Sequence, residues 1–485
     1  MKTKIFNNRT KLEALLAALL LICISSLSVY AGTRTISDTQ DTFYRDFIYN
    51  SNGKYWTANA SNLQSAIDDL TSGGTVYLPS GTITTDTNID ITTDNIAIKG
   101  SGIGSTIITT TSGGSFAGGI IYFNGGDDTP DGDELFNVSI SDLTVVGVEG
   151  VNSVHGIYFR NGVWNGTISN VQVINPSSTG IYIDDSFNFI VDNVYVKEAN
   201  NPATHAMCIQ ESNAGVINNV VIENCSGGDY AMDYSNAQNV TTSNVVMRDV
   251  RYGIKLDADE SSNICRNNVF NNLVLHGTDG NAFHTGEGTL YTHVSDFVSY
   301  GFNKGFDLDS GCDYFWLSNA YVNGGSQEDD FSGDYVWITN FVKEGCSGNG
   351  FDFEGDHIHM TNSMMKGNAG VNGNKVQGEN ITISGCSFID DTGGFGALSL
   401  VGCKNVCIDN CRMMGCYRGV HVADGCTHFS ITDCLISGST SNPIYLAAGS
   451  GTDYYRIIGN EWFDSGAIFR DLALGEHNVT ANNLS

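Results

Sequence analysis

Ionisable side chains recur near the middle of the 485-residue chain, inside short segments of the form Gly-apolar-x-apolar-x. Residues 253–257 and 305–309 are two such segments. Because side chains alternate in a β-strand, both variable positions of a segment point to the same side. Stacked segments would therefore place on one surface Asp233, Lys255, Asp257, His284, Asp307, Asp309, Asp352 and Glu354. This predicts a site that moves protons or binds a cation, although charged side chains on a sheet also serve solubility.

One chemistry that fits this surface is β-elimination from a uronate, in which a basic side chain removes a proton while a cation neutralises the carboxylate. Lys255 is the candidate base, and Asp233 and Asp257 flank it. Those carboxylates would keep Lys255 protonated unless calcium occupies them. We therefore expect calcium, and no organic cofactor, with the predicted ligands Asp233, Asp257, Asp352 and Glu354.

A second chemistry is inverting glycoside hydrolysis, which needs two carboxyl groups about 6.5–9.5 Å apart. Asp307 and Asp309 lie two residues apart on one predicted strand, roughly 6.6 Å by strand geometry. Asp307 and Asp352 lie two coils apart, roughly 9.6 Å by strand spacing. The catalytic candidates for the two chemistries together are Lys255, His284, Asp307 and Asp309.

Aromatic and polar side chains occupy the same variable positions towards both ends of the predicted surface. They are typical of platforms for sugar rings, and tyrosine is equally ordinary in exposed strands. The substrate-binding candidates are Tyr158, Arg160, Tyr182 and His421.

The element that must position these residues is a repeat of about 24.5 residues. An Asn, Asp or Gly recurs between two short alternating segments at 142, 170, 193, 219, 244, 272, 296, 319, 340, 362, 385, 410, 433 and 460. Asn favours sharp corners because it tolerates left-handed backbone. Three period-two strands per repeat predict an all-β, single-stranded, right-handed parallel β-helix of about 14 or more coils. A leucine-rich repeat has one strand per unit and leucine-dominated positions, and the inward positions here are mostly Ile, Val and Phe.

Cysteines follow the same period. Cys386, Cys411 and Cys434 each follow a corner residue, and Cys403 and Cys426 form a second column. Neighbouring coils bring such residues close to disulfide range, and buried free thiols fit equally well.

The ends and the charge define the organisation of the chain. Residues 1–31 read as a signal peptide, 32–57 as an N-terminal extension and 58–485 as the β-helix, so we expect a secreted protein. Ser61 and Gln64 form a capping box that predicts a short helix over Asn62–Leu70, plugging the N-terminal end. A net charge of −30 argues against nucleic acid as a partner, and no stretch is apolar enough for a membrane span. The oligomeric state stays open.

Several of these segments resemble the opening of the pectate-lyase-like superfamily: Leu63–Leu70, Gly73–Gly81, Ile96–Gly102 and Ser105–Ile108. The resemblance implies a polysaccharide bound along one sheet face. The signatures of the family 28 glycoside hydrolases are incomplete, since Asp184-Asp185 lacks the preceding Gly and the chain has His284-Thr-Gly286 and Gly253-Ile-Lys255. We therefore expect a secreted carbohydrate-active protein, with lyase chemistry slightly ahead of inverting hydrolysis. The alternative from another class is a non-catalytic adhesin or structural β-helix.

Overall fold

Stacked strands, joined by turns, make up almost all of the computed structural model. It describes residues 47–126, 134–148, 154–199, 205–227, 229–258, 264–370, 373–392, 394–423, 425–449, 451–463, 470–473, 479–481 and 483. The predicted signal peptide lies outside the described residues. Within them, no helix is both long and apolar enough to cross a bilayer.

The first of two large sheets, called the front sheet below, receives one strand from each coil, and all of its pairings are parallel. Its 16 strands among the described residues are Ile89–Ile91, Gly119–Asn124, His155–Arg160, Ile181–Asp184, Met207–Gln210, Tyr230–Ser235, Tyr252–Asp257, Asn281–Thr285, Lys304–Leu308, Asp329–Phe331, Phe351–Phe353, Asn374–Val376, Leu398–Leu400, Val420–Val422, Ile444–Gly449 and Arg470–Ala473. The parallel β-helix and its number of coils are thus confirmed.

The second large sheet, called the bent sheet, forms the two other walls, because many of its strands continue through a corner. Its 27 described strands are Phe47–Asn50, Tyr55–Thr57, Gly74–Tyr77, Gly81–Thr85, Ile96–Lys99, Thr106–Thr110, Ser139–Val146, Thr167–Ile174, Ile190–Lys197, Val216–Glu223, Thr241–Val250, Cys265–Arg266, Val269–Gly277, Thr289–Tyr300, Asp313–Asn323, Val336–Glu344, Ile358–Thr361, Met364–Lys366, Glu379–Ser384, Ser387–Ile389, Lys404–Asp409, Arg412–Met414, Ser430–Thr432, Leu435–Ser437, Arg456–Ile458, Glu461–Phe463 and Val479–Ala481. A separate pair joins Leu135–Phe136 to Val163–Trp164.

The corner residues have left-handed backbone at thirteen of the fourteen predicted positions, with φ between 49° and 64°. Their side chains bond along the column, as where Asn193 donates to Asn170 at 2.9 Å and Asn340 donates to Asn319 at 3.1 Å. The prediction at Asn460 is wrong by one residue. Gly459 takes the left-handed turn, and Asn460 points inward to bond the Ile431 carbonyl at 2.9 Å.

The N-terminal helix covers Ala60–Asp68 and buries Leu63, Ala66 and Ile67. Its N-cap is Asn59, which accepts from the Asn62 amide, so the predicted capping box at Ser61 is wrong. Gln64 instead exchanges two 2.9 Å hydrogen bonds with the backbone of Asp90 in the first strand of the front sheet. The helix thereby blunts an open sheet edge. Strand Phe47–Asn50, from the predicted extension, pairs antiparallel with Gly74–Tyr77.

The core runs along the inside of all three walls. It contains a central aromatic stretch of fully buried rings, with Phe283, Phe306 and Phe331 contributed by successive front-sheet strands. The twelve cysteines among the described residues are free thiols. Cys403 and Cys426 approach to 3.5 Å between sulfurs.

Candidate active site

One outward column of the front sheet carries the chemistry. In register from coil to coil it reads Tyr122, Tyr158, Tyr182, Cys208, Asp233, Lys255, His284, Asp307, Asp330, Asp352, Lys375, Ser399, His421 and Tyr445. The sequence predicts Ser332 at the position that Asp330 occupies in the structure, so that prediction is wrong. At the position of Lys375 the sequence does not assign a residue. The column therefore holds one more carboxylate and one more ammonium group than the sequence predicts.

Asp307 lies at the centre of the column among donors. Its Oδ2 accepts from Asn281 at 2.6 Å and lies 3.1 Å from His284 Nδ1, and Lys304 donates to its Oδ1. Burial alone would raise the pKa of Asp307, but the hydrogen bonds with His284 and Lys304 outweigh it and hold the pKa at about 2. Asp307 is therefore ionised at every ordinary pH.

The other ring nitrogen of His284 lies 4.0 Å from Asp309 Oδ2, so His284 stands between the two carboxylates. Partial burial and the negative charge of Asp307 raise the pKa of Asp309 against the pull of His284. The side chains of His284, Asp307 and Asp309 bring one donor atom each within 4.8 Å of one another. Such a set fits a divalent cation, although Lys304 already neutralises Asp307.

Asp352 lies two coils beyond Asp307 in a different environment. Its Oδ2 is 3.0 Å from Lys375 Nζ, while its Oδ1 is buried and has no hydrogen-bond partner among the described residues. Burial raises the pKa of Asp352 to about 6, with Lys375 opposing the rise. Asp330 lies between Asp307 and Asp352, bonds Ser332 at 2.6 Å, and also has its pKa raised by burial.

A shallow depression in the surface lies beside this row of carboxylates. It is lined by Glu287, Asp309, Ser310, Ser332 and Glu354.

Lys255 is engaged by carboxylates, as the sequence predicts. Its Nζ lies 2.7 Å from Asp257 Oδ2. Burial lowers the pKa of Lys255, but the hydrogen bond to Asp257 and the charge of Asp233 outweigh burial and raise it above the ordinary value. The neighbouring Asp233 is buried, and its Oδ2 lies 3.5 Å from His205 Nε2.

The four predicted calcium ligands fall into two separate pairs. Asp233 and Asp257 lie on adjacent coils around Lys255, and Asp352 and Glu354 lie four coils further along around Lys375. The structure thus pairs a lysine ammonium group with Asp257 in the first pair and with both carboxylates in the second.

The predicted substrate-binding residues lie at both ends of the column. Tyr158 and Tyr182 stack at 4.8 Å, and their hydroxyls bond Asp184 at 3.1 Å and Gln210 at 2.5 Å. Arg160 donates to Tyr122 at 2.7 Å. At the other end His421 stacks on Tyr445 at 5.4 Å. The two groups lie ten coils apart, so a single bound chain would have to be long to reach both.

Sequence reasoning missed Asn281, Lys304, Asp330 and Lys375. Asn281 and Lys304 lie three residues before the outward residues His284 and Asp307. In a strictly alternating strand a residue at that spacing would point inward. Asp330 lacks the glycine that stands two residues before Lys255, Asp307 and Asp352. Lys375 has that glycine, Gly373, but the polar Asn374 occupies the position that is apolar in the other segments. A search for polar residues just before each glycine would have found Lys304.

The comparison with known families agrees with the β-helix fold. Residues 45–279 match the model of the family described as "Rhamnogalacturonase A/epimerase, pectate lyase-like". The matched residues make up the first coils of the β-helix and just under half of the chain. No curated protein matches its sequence.

Among solved structures, pre-mature gene product 12 of bacteriophage phi29 is similar over 88% of this chain and 70% of the phage chain, with 12% identity and a TM-score of 0.55. The A-module of mannuronan C-5 epimerase AlgE6 from Azotobacter vinelandii has 16% identity over 88% of this chain and 98% of its own, with a TM-score of 0.28. The catalytic domain of a GH87 α-1,3-glucanase in complex with nigerose has 14% identity over 87% of this chain and 67% of its own, with a TM-score of 0.32. The similarity to the phage protein is one of fold.

Proposed function

We propose that this pectate-lyase-like β-helix hydrolyses a polysaccharide bound along the front sheet, by an inverting mechanism. The observation that carries the proposal is the pair Asp307 and Asp352, two coils apart on one column in opposite environments. Two coils correspond to roughly 9.6 Å, close to the separation of about 6.5–9.5 Å that leaves room for water between an acid and a base. Carboxyl groups whose pKa values are pushed apart are suited to these two roles.

The roles follow from the surroundings of each residue. Asp307, ionised by its contacts with Lys304 and His284, orients a water molecule and accepts its proton. Asp352, which retains its proton up to a pH of about 6, donates to the leaving oxygen. Asp330 lies between them, where its carboxyl group contacts the sugar at the cleavage point.

The test is release of reducing ends from a panel of soluble polysaccharides. Asp307→Asn and Asp352→Asn should each lower kcat by about 100-fold or more, because each removes one proton-transfer group. Glu379→Gln is the matched control, since it removes an exposed carboxylate that pairs with Lys404 on the bent sheet. Full activity in either active-site variant would contradict the proposal.

β-Elimination with Lys255 as base, which the sequence slightly favours, is the second candidate. The position of Lys255 beside Asp233 and Asp257 supports a uronate site, but a base must lose its proton, and both carboxylates oppose that loss. Unsaturated uronate products that absorb in the ultraviolet and disappear in Lys255→Ala would establish elimination. Glycan binding without reducing ends or unsaturated products would favour the non-catalytic adhesin.

Calcium and secretion stay predictions of the sequence. Calcium in place of a lysine ammonium group would release Lys255 or Lys375 from its carboxylates. Activity that survives removal of calcium by a chelator would argue against that exchange.

A further inference from the structure

A second surface, on the bent sheet, carries eight aromatic rings in two columns. The first column stacks Tyr291, Tyr314, Tyr335 and His357, with centroids 4.5–4.8 Å apart and planes within 15°. The second stacks His293, Trp316, Trp337 and His359, with centroids 4.3–6.2 Å apart and planes within 13°. The columns lie side by side, as Tyr314 and Trp316 are 6.5 Å apart. We call these eight residues the aromatic platform.

The platform occupies the same four coils as the centre of the candidate active site. The coils that carry His284, Asp307, Asp330 and Asp352 on the front sheet carry the four ring pairs after the next turn. One such turn runs between Lys304–Leu308 and Asp313–Asn323. The depression beside Asp309 and Glu354 is lined by residues of these turns, so it lies between the two surfaces.

Stability of the coil stack does not by itself account for this choice of residues. Tyr291, Tyr314, Tyr335 and His357 have φ between 55° and 60°, a left-handed backbone that bulky side chains disfavour. The same column has Asn239 and Asn267 before the platform and Asn380 and Asn405 after it, which is the residue type suited to this backbone. Among the described residues of this column, tyrosine therefore replaces the better-suited residue only on the active-site coils and at Tyr454, which stacks on His428.

Carboxylates flank the first column. Asp313, Asp334 and Asp356 each precede a platform residue and use Oδ1 to accept the backbone N–H of the next coil, at 3.2, 2.7 and 2.6 Å. Each carboxylate keeps its second oxygen for another donor. The outer edges of the rings carry Tyr hydroxyls, Trp N–H groups and His nitrogens.

We propose that the aromatic platform and its three carboxylates bind a neutral polysaccharide beside the active site. Ring edges offer hydrogen-bond donors and acceptors next to apolar surface, and free carboxylate oxygens accept from sugar hydroxyls. The negative charge of Asp313, Asp334 and Asp356, in a chain of net charge −30, disfavours a polyuronate at this surface. Four coils span about 14 Å at strand spacing, the length of a short oligosaccharide.

The test measures binding of the full chain to four neutral polymers: galactomannan, xyloglucan, laminarin and dextran. Tryptophan fluorescence and affinity electrophoresis report the binding. At least one of these neutral polymers should bind, and polygalacturonate should bind at least tenfold more weakly at this surface. Trp316→Ala with Trp337→Ala should weaken binding of the neutral polymer at least tenfold. Trp316→Phe with Trp337→Phe keeps the stacks without the N–H groups and serves as a second variant should the alanine pair unfold. It should weaken binding to an intermediate extent.

Two controls separate this surface from the active site. Trp164→Ala removes a ring stacked on Phe187 at 4.6 Å elsewhere on the outer surface and should leave binding unchanged. Asp307→Asn should also leave binding at the platform unchanged, so a failure of the proposed hydrolysis is distinguishable from a failure of this inference. Failure of all four neutral polymers to bind, or unchanged affinity in both tryptophan double variants, would overturn the proposal.

Discussion

Asp307 and Asp352 are both aspartates, but the pKa of Asp307 is lowered and that of Asp352 is raised because their neighbours differ. Lys304, His284 and Asn281 all contact Asp307. Asp352 contacts one lysine, and its buried Oδ1 has no partner in the part of the chain that the structure describes. The difference between a pKa of about 2 and one of about 6 suits the two residues to the separate roles that we propose.

At the scale of the residue, activity should depend on Lys375 through the pKa of Asp352. The pH–rate profile should fall as pH rises through about 6, where Asp352 loses the proton it must donate. Lys375→Met removes a charge that favours the ionised carboxylate, so the fall should move upward by about one pH unit. The profile of kcat/KM against pH measures this shift.

Lys366→Met is the matched control for the lysine variant, because Lys366 pairs with Glu344 at 3.2 Å on the bent sheet. Its profile should coincide with that of the unmodified protein. An alkaline limb that stays in place in Lys375→Met would remove Asp352 from the role of acid.

At the scale of the element, the corner residues hold each coil to the next. Asn319 has φ 54°, donates to Asp296 at 3.1 Å and accepts from Asn340 at 3.1 Å. Asn319→Ala loses both bonds and forces alanine into left-handed backbone, so it should destabilise the protein by about 1–3 kcal/mol. Asn319→Gly loses the bonds without the backbone strain and should destabilise it less. Thermal unfolding together with amide exchange in residues 313–344 measures both effects.

Ser318→Ala, on the same strand but outside the corner, should change thermal stability by less than about 0.5 kcal/mol. If alanine and glycine at position 319 were equally destabilising, the left-handed backbone would not be the source of the effect.

The same elements explain how far the sequence could predict the site. Where a strand follows the pattern glycine, apolar, variable, apolar, its outward residues could be assigned, as at Lys255, Asp307 and Asp352. His284 falls into the same column as expected, although its segment has Ala282 in place of the glycine. Asp330 lies on a three-residue strand after a run of polar residues, so no local period fixes its register. Lys304 and Asn281 donate hydrogen bonds to Asp307 because their strands depart from strict inward and outward alternation. That departure is visible only once the strands are paired in the structure. The stacking of coils also decides which lysine meets which carboxylate: the sequence predicts Lys255 beside Asp233 and Asp257, but it does not show that Lys375 pairs with Asp352 and Glu354.

At the scale of the whole molecule, one solenoid presents two different surfaces within the same four coils. The front sheet concentrates titratable groups, and the bent sheet concentrates aromatic rings. Because each coil contributes to both, the spacing between the surfaces is set by the turns around 285–289, 309–312 and 332–335. Under the two proposals made above, a polysaccharide bound on one wall would reach the other without movement of domains.

Protonation should act on the stability of the whole β-helix. Burial raises the pKa of Asp391 and of Asp352 to about 6, so the folded state binds protons there that the unfolded chain, with an Asp pKa of about 3.9, does not. Stability from these two groups should rise as pH falls from about 7 to about 4, and the declining net charge acts in the same direction. The lowered pKa of Asp307 acts oppositely: its stabilisation is present above the unfolded pKa and is lost as pH falls through about 2. Thermal midpoints should therefore be highest in moderately acid solution.

Asp391 is fully buried, and a pKa shift of this size corresponds to a change in the free energy of unfolding on the order of 3 kcal/mol at most. Asp391→Asn should make the rise between pH 7 and pH 4 smaller, whereas Asp249→Asn, the same change at an exposed residue several coils away, should preserve it. An equal rise in both variants would mean that the general loss of charge, rather than buried carboxyl groups, controls stability.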